Sequence, residues 1–208
     1  TKAFSAQLCV SYLLALKFAK AKGLLSESDE EKYCAEILRL PELIEGILKT
    51  DSALKELAKS YADSENVFFI GRGLDYAISL EGSLKLKEIS YIHSEAYAVG
   101  ELKHGTISLI EDKTPVFAVA TQSDLNEKTL GNIKEVKARG ARVIALVGEN
   151  HSAADEFADD IIRLPEISDF LMPSLAVVPL QIFAYYMALG RGCDRSEEHT
   201  SELQSLAY

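Results

Sequence analysis

Residues 66–90 read NVFFIGRGLDYAISLEGSLKLKEIS, and this stretch decides the fold. Residues 67–70 are all apolar, which is typical of a β-strand buried on both faces. Gly71-Arg72-Gly73 closes the run and lacks the third glycine of the dinucleotide-binding fingerprint, so it predicts a tight turn and no nicotinamide site. A long helical pattern follows. The stretch therefore predicts a strand, a turn and a helix in succession.

The same alternation continues towards the C-terminus. Three further β-strands are predicted at residues 115–120, 141–147 and 160–164, and helical patterns occupy residues 124–139 and 173–189. Continuous apolar strands that alternate with helices are typical of a parallel sheet covered on both faces. The sequence therefore predicts the α/β fold class, as a three-layer sandwich with a parallel sheet at its centre.

The N-terminal part of the chain has a wholly helical pattern. Residues 2–22 are apolar nearly all round and end at Gly23, so we expect a buried helix that stops there. Amphipathic helices are predicted at residues 30–48 and 52–61, and Pro41 is expected to kink or split the first of them.

Bulk composition excludes several classes of protein. The formal net charge is −10 and the pI is about 4.9, with no run of Lys and Arg, so we expect no nucleic-acid partner. The odd number of widely spaced cysteines disfavours a disulfide framework or a zinc site and favours a reducing, cytoplasmic location. The most apolar stretch, residues 8–16, is shorter than the roughly 20 residues of a membrane span, so we expect no membrane partner.

Three charged residues share one stripe of the helix predicted after Gly73. At about 100° per residue, Glu81, Lys85 and Glu88 lie at positions i, i+4 and i+7. The apolar flanks are Ala77, Leu80 and Leu84 on one side and Ile78, Gly82, Leu86 and Ile89 on the other, with Ser79, Ser83 and Lys87 opposite. The pattern therefore embeds three charges between two apolar flanks.

Two interpretations of this stripe remain open. It can be a structural ion-pair network, because Glu and Lys at helical spacing stabilise each other by tenths of a kcal/mol per pair. It can also line a cavity, because buried charge must be paired or used. A carboxylate partly withdrawn from water can act as a general base, and a neighbouring Lys can neutralise a phosphate or an enediolate. Such groups suit proton transfer between adjacent carbons of a sugar.

One histidine stands in a different local setting. His104 lies between Lys103 and Gly105, so we expect it at a loop or helix end, accessible and able to titrate. A single histidine is nevertheless more often a satisfied structural residue than a functional one.

The sequence resembles a known family over most of its length. Residues 80–105, LEGSLKLKEISYIHSEAYAVGELKHG, closely resemble the signature of the second SIS (sugar isomerase) subdomain of glutamine–fructose-6-phosphate aminotransferases. The opening TKAF resembles the end of that family's first SIS subdomain, and residues 177–194, VVPLQIFAYYMALGRGCD, resemble its last long helix. The resemblance covers residues 1–194.

This resemblance implies roles for individual residues. Glu88 matches the base that shuttles a proton between C1 and C2 as an amino-ketose becomes an amino-aldose. Glu81 and Lys85 match its neighbours, and Lys85 and Glu88 are implied to contact substrate. His104 matches a histidine tied to opening the sugar ring, which reaches the active site of the partner subunit. The resemblance thus implies a sugar phosphate as ligand (fructose 6-phosphate or glucosamine 6-phosphate), a homodimer, no metal and no cofactor.

The same resemblance implies a domain plan and several departures. We expect residues 1–50 to be the last helices of the first SIS subdomain with a connector, and residues 51–194 to be the second SIS subdomain. The family's glutaminase domain, most of its first SIS subdomain and its lysine-bearing C-terminal loop have no counterpart here. Residues 195–208 resemble a translated sequencing adapter, and we expect a non-native tail. The fragment alone is therefore expected to be inactive or weakly active.

Two other functions remain open on the sequence. A non-catalytic sugar-phosphate-binding SIS module would not need the Glu–Lys–Glu stripe together with His104. A fructosamine-phosphate deglycase would run the chemistry in reverse, and sequence upstream of residue 1 would distinguish it.

Overall fold

The computed structural model describes residues 2–193. Its helices are α1 (Lys2–Ala21), α2 (Glu27–Leu48), α3 (Asp51–Lys59), α4 (Leu74–Ser90), α5 (Asn126–Ala138) and α6 (Met172–Gly190). Its strands are β1 (Asn66–Gly71), β2 (His93–Ala98), β3 (Pro115–Ala120), β4 (Arg142–Gly148) and β5 (Asp160–Leu164). Short 3₁₀ turns occupy Val99–His104, Thr106–Leu109, Ser123–Leu125 and Ala153–Glu156. The tail predicted at 195–208 lies outside the described residues.

The five strands form one parallel sheet in the order β2-β1-β3-β4-β5. Phe69 of β1 is in register with Ala96 of β2 on one side and with Phe117 of β3 on the other. The helix α4 connects β1 to β2 on one side of it. The 3₁₀ turns after β2 then lead to β3, which lies on the other side of β1. The predicted α/β class with a central parallel sheet is confirmed.

Alternate residues of the strands face two separate apolar layers. On one face, β1 and β3 contribute Phe69 and Phe117 to a core shared with α4 and α6, which includes Leu86 and Phe183. On the other face, β1 contributes Phe68, and the neighbouring strands and α5 complete a second core. Because the side-chain period of a strand is two, a wholly apolar strand supplies both layers.

The most apolar helix, α6, lies in the first of these cores. It is long and apolar enough to cross a membrane by length and composition, but 72% of its most apolar 18-residue stretch is buried inside the protein. Its Phe183 packs edge-on against Phe117 at 5.1 Å between ring centroids. The hydropathy of α6 is therefore accounted for by its packing against the sheet.

Three local predictions need correction. The helix α1 is largely exposed, not buried, because only its inner side packs on the protein. There Tyr12 of α1 packs on Phe170, with 5.4 Å between the ring centroids. Its outer apolar side includes Phe18, which is 62% exposed. The helix α2 continues through Pro41, so it is not split there, and the predicted kink at Pro41 stays a prediction. The strand β2 was missed altogether.

Gly71, the last residue of β1, allows the backbone of the first turn of α4 to approach the strand closely. A Cβ at this position would lie 2.5 Å from the backbone carbon of Asp75 and 2.7 Å from the backbone nitrogen of Tyr76. We expect Gly71→Ala to lower the free energy of unfolding by about 1–3 kcal/mol or more, because the backbone must shift. Chemical denaturation measures this change.

A matched substitution makes the test specific. At Gly131, inside α5, a Cβ would meet no atom within 4 Å. We expect Gly131→Ala to stabilise the protein by about 0.5–1 kcal/mol, because glycine loses more backbone entropy in a helix than alanine does. Equal effects of the two substitutions would contradict the close approach at Gly71.

Candidate functional site

The helix that carries the charged stripe is fixed at its first turn. The carboxylate of Asp75, which is buried, accepts hydrogen bonds from the Thr121 backbone N–H at 2.8 Å, the Thr121 hydroxyl at 2.5 Å and the Gln122 backbone N–H at 3.2 Å. Burial raises the pKa of Asp75, and the hydrogen bonds from Thr121 oppose that shift. These bonds join α4 to the end of β3. Sequence reasoning did not single out Asp75, although an acidic residue in the first turn of a helix is a recognised signal.

Glu81, Lys85 and Glu88 lie together along α4. The Lys85 ammonium donates a hydrogen bond to Glu88 Oε2 at 2.6 Å and lies 3.9 Å from Glu81 Oε1. The side chains are 11% (Glu81), 18% (Lys85) and 29% (Glu88) exposed. One lysine therefore holds two carboxylates at the margin of the core, which differs from a solvated ladder.

Burial perturbs the titration of one carboxyl on this stripe. Burial raises the pKa of Glu81, the neighbouring Glu88 carboxylate raises it further, and Lys85 opposes the shift. A carboxylate that is partly withdrawn from water can act as a general base. The arrangement can therefore accept or donate a proton next to a cation that neutralises a developing negative charge.

The surroundings of the stripe differ from the helical-wheel prediction. Ser79 and Ser83, expected to face water, are buried, whereas Leu80 and Leu84, expected in the core, are exposed. The reason is the close approach of α4 to α6, where a Cβ on Gly82 would lie 2.7 Å from Leu180 Cδ1. The small side chains of α4 allow it to approach α6 this closely, whereas a face of leucines would not.

Internal hydrogen bonds make the buried serine face possible. The Ser79 hydroxyl donates to the Asp75 carbonyl at 2.8 Å, and the Ser90 hydroxyl donates to the Leu86 carbonyl at 2.6 Å. The Ser94 hydroxyl of β2 donates to the Ser83 hydroxyl at 3.1 Å. Because each hydroxyl has a partner, its burial carries no penalty for an unmade hydrogen bond. The charged stripe consequently lies between this buried face and an exposed apolar ridge.

His104 occupies the position that the sequence predicts for it. It ends the 3₁₀ turn Val99–His104, its side chain is 76% exposed, and its Nε2 lies 3.9 Å from Glu101 Oε2. Gly105, which follows, has a φ of +137°, a value that favours glycine. The histidine is accessible to solvent.

Within one chain, His104 is not brought to the charged stripe. The turn that carries it buries Val99 and Leu102 in the core on the α5 face of the sheet, whereas α4 buries Leu86 in the core on the opposite face. The stripe and the histidine therefore lie on different sides of the sheet. Among residues 2–193, no group of three or more His, Cys, Asp or Glu side chains could hold a metal ion.

Comparisons with known proteins agree with this fold. The family model described as SIS domain matches residues 60–191. A glutamine–fructose-6-phosphate aminotransferase (isomerizing) of Clostridium tetani is 50% identical over 194 residues, which are 93% of this chain and 32% of the relative. The chain therefore spans about a third of the length of the curated relatives it matches.

Solved structures extend the comparison. The C-terminal domain of a glucosamine-fructose-6-phosphate aminotransferase from Francisella tularensis matches with a TM-score of 0.87 and 39% identity, over 94% of this chain and 55% of that chain. A glucosamine-6-phosphate deaminase from Thermotoga maritima matches with a TM-score of 0.64 and 26% identity, over 95% and 54% of the two chains. The resemblance inferred from the sequence is confirmed.

Proposed function

Because this chain belongs to the SIS domain family, we propose that it is the isomerase part of an aminotransferase that makes glucosamine 6-phosphate from fructose 6-phosphate and glutamine-derived ammonia. The relatives support a sugar-phosphate isomerase module. The observation that carries the finer proposal is the half-buried stripe in which Lys85 holds Glu81 and Glu88. Such a stripe supplies a base and a cation where a sugar exchanges a proton between adjacent carbons.

We assign roles along the stripe in the order of the chemistry. Glu88 takes a proton from C1 of the amino-ketose and returns it to C2, which gives the amino-aldose. Lys85 contacts the substrate and neutralises the negative charge that develops when the proton is removed. Glu81, whose burial raises its pKa, holds Lys85 in place from the previous turn of the helix. His104 assists ring opening before the proton moves.

The position of His104 motivates a homodimer. Since it lies across the sheet from the stripe within one chain, we propose that it serves the stripe of a second copy. We further propose that residues 1–50 belong with a first SIS subdomain and residues 51–194 form the second. The exposed outer side of α1 is consistent with that division. The proposed setting is cytoplasmic, the ligand is a sugar phosphate, and no cofactor is needed.

Proton exchange gives a direct test of this function. We expect fructose 6-phosphate in D₂O to gain deuterium at C1 in the presence of the protein, and the aldose formed from it to carry deuterium at C2, because abstraction by Glu88 does not require ammonia. Proton NMR of the sugar phosphate measures it for the 208-residue chain and for the full reading frame recovered from its locus. Fructose, which lacks the phosphate, is the control substrate. Absence of exchange with both proteins would refute the isomerase assignment.

The reverse direction has one observation in its favour. The Thermotoga maritima relative, which matches 95% of this chain at 26% identity, is named for deamination of glucosamine 6-phosphate. Release of ammonia from glucosamine 6-phosphate, in excess of amination of fructose 6-phosphate under saturating ammonia, would favour that function. The same stripe would serve both directions.

A further inference from the structure

The segment of residues 99–105, here called the His104 segment, has little regular structure to hold it. It consists of the 3₁₀ turn Val99–His104 and Gly105. Val99 and Leu102 are fully buried and anchor the inner side of the turn. Because 3₁₀ turns have weaker hydrogen-bond geometry than α-helices, the outer side depends on side-chain contacts for its position.

Those contacts come from α5. Lys103, the neighbour of His104, donates to Glu135 Oε1 at 2.8 Å, and the Asn132 amide donates to Glu135 Oε2 at 3.2 Å, so both carboxylate oxygens are used. The hydrogen bond from Lys103 lowers the pKa of Glu135, as an ion pair between the two side chains does. Beyond the segment, the Arg139 guanidinium donates to the Ile107 carbonyl at 2.6 Å.

The same group of contacts reaches the turn after β1. The Arg72 guanidinium donates from Nη2 to Asn132 Oδ1 at 3.2 Å. Its Nη2 also lies 3.4 Å from the position that a Cβ on Gly100 would occupy, so the guanidinium packs beneath the backbone of the His104 segment. A continuous set of polar contacts therefore runs from Arg72 through Asn132 and Glu135 to Lys103.

We propose that Glu135 is a positioning residue for His104. Its carboxylate joins Asn132 on α5 to Lys103 and so fixes the orientation in which the His104 side chain extends from its own subunit towards the second copy. This proposal rests on the proposed function for the role of His104. Glu135 itself contacts no reacting atom. It acts through the ion pair with Lys103. Within residues 99–105, which the structure describes, this is the one ion pair to α5, and the 3₁₀ turn that it holds ends in glycine.

Hydrogen exchange and turnover test the proposal together. In Glu135→Gln we expect amide protection across residues 99–105 to fall about threefold, because an exposed ion pair contributes a factor of this size. Turnover of the sugar phosphate should fall by a similar factor in kcat with KM unchanged, since the stripe that contacts substrate is untouched. Lys103→Ala should reproduce both changes, and the double variant should lose no more than either single variant.

Glu127→Gln, an exposed glutamate in the first turn of the same helix, is the matched control and should change neither measurement. Unchanged protection in Glu135→Gln, additive losses in the double variant, or lost protection with unaltered kcat would each overturn the positioning role. Absence of turnover in both the unsubstituted 208-residue chain and the unsubstituted full reading frame would contradict the proposed function instead. The exchange result would then decide by itself whether Glu135 holds the segment.

Discussion

Replacement of Glu88 by glutamine is expected to lower proton exchange at C1 of fructose 6-phosphate by about two to four orders of magnitude. Glutamine has nearly the same shape but cannot accept a proton from carbon. Its amide oxygen can still accept the hydrogen bond that Lys85 now donates to Glu88 at 2.6 Å. The substituted protein should therefore fold and bind the sugar phosphate. Deuterium incorporation followed by NMR measures the loss.

The chain offers a closely matched control for this substitution. Glu56 of α3 pairs with Lys59 at 2.8 Å and at the same i,i+3 spacing, but both side chains are exposed. Glu56→Gln should leave proton exchange unchanged. Retained exchange in Glu88→Gln would remove Glu88 as the base. An equal loss in Glu56→Gln would show that the measurement reports folding and not chemistry.

Much of the architecture could be predicted because the strands are apolar on both faces. The pattern at residues 67–70 and 115–120, and in most of 141–147, leaves no side for water, so each of these strands had to lie between two layers of helix. The structure places these residues in β1, β3 and β4, the three inner strands of the sheet. Composition is a sufficient guide for a strand in the middle of a sheet, where every neighbour is apolar.

The missed strand shows where composition is insufficient. The strand β2 reads HSEAYA, begins with an exposed residue and includes one fully buried position, Ser94. It lies at the edge of the sheet, with β1 as its pairing partner. An edge strand is held by backbone hydrogen bonds on one side and needs no apolar run. Only the pairing itself reveals it.

The charged stripe was predictable in its members but not in its surroundings. Helical spacing is enough to bring Glu81, Lys85 and Glu88 together. It does not say which neighbouring face meets α6, because that depends on the shape of the opposing surface. The small side of α4, around Gly82 and Ser83, packs inside and leaves the leucines outside. The place of His104 across the sheet depends on topology that local sequence does not contain.

Replacement of Phe117 by alanine is expected to lower the free energy of unfolding by about 3–5 kcal/mol. Phe117 is fully buried in β3, stacks on Phe69 with ring centroids 5.3 Å apart, and meets the edge of Phe183 at 5.1 Å. Its removal takes away apolar contacts and leaves a cavity between the sheet and α6. Urea denaturation followed by circular dichroism measures the change.

Phe18→Ala provides the same chemical change without the cavity. Phe18 lies on the outer side of α1 and is 62% exposed, so the expected change is within about 0.5 kcal/mol. Phe69 lies against α4, because a Cβ on Gly82 would be 3.0 Å from Phe69 Cε1. Phe69 therefore separates the cavity at Phe117 from the helix that carries the stripe. Proton exchange by folded Phe117→Ala should therefore persist while its stability falls. Equal losses of stability in the two variants would contradict the layered core, because they would mean that burial between the sheet and α6 contributes nothing.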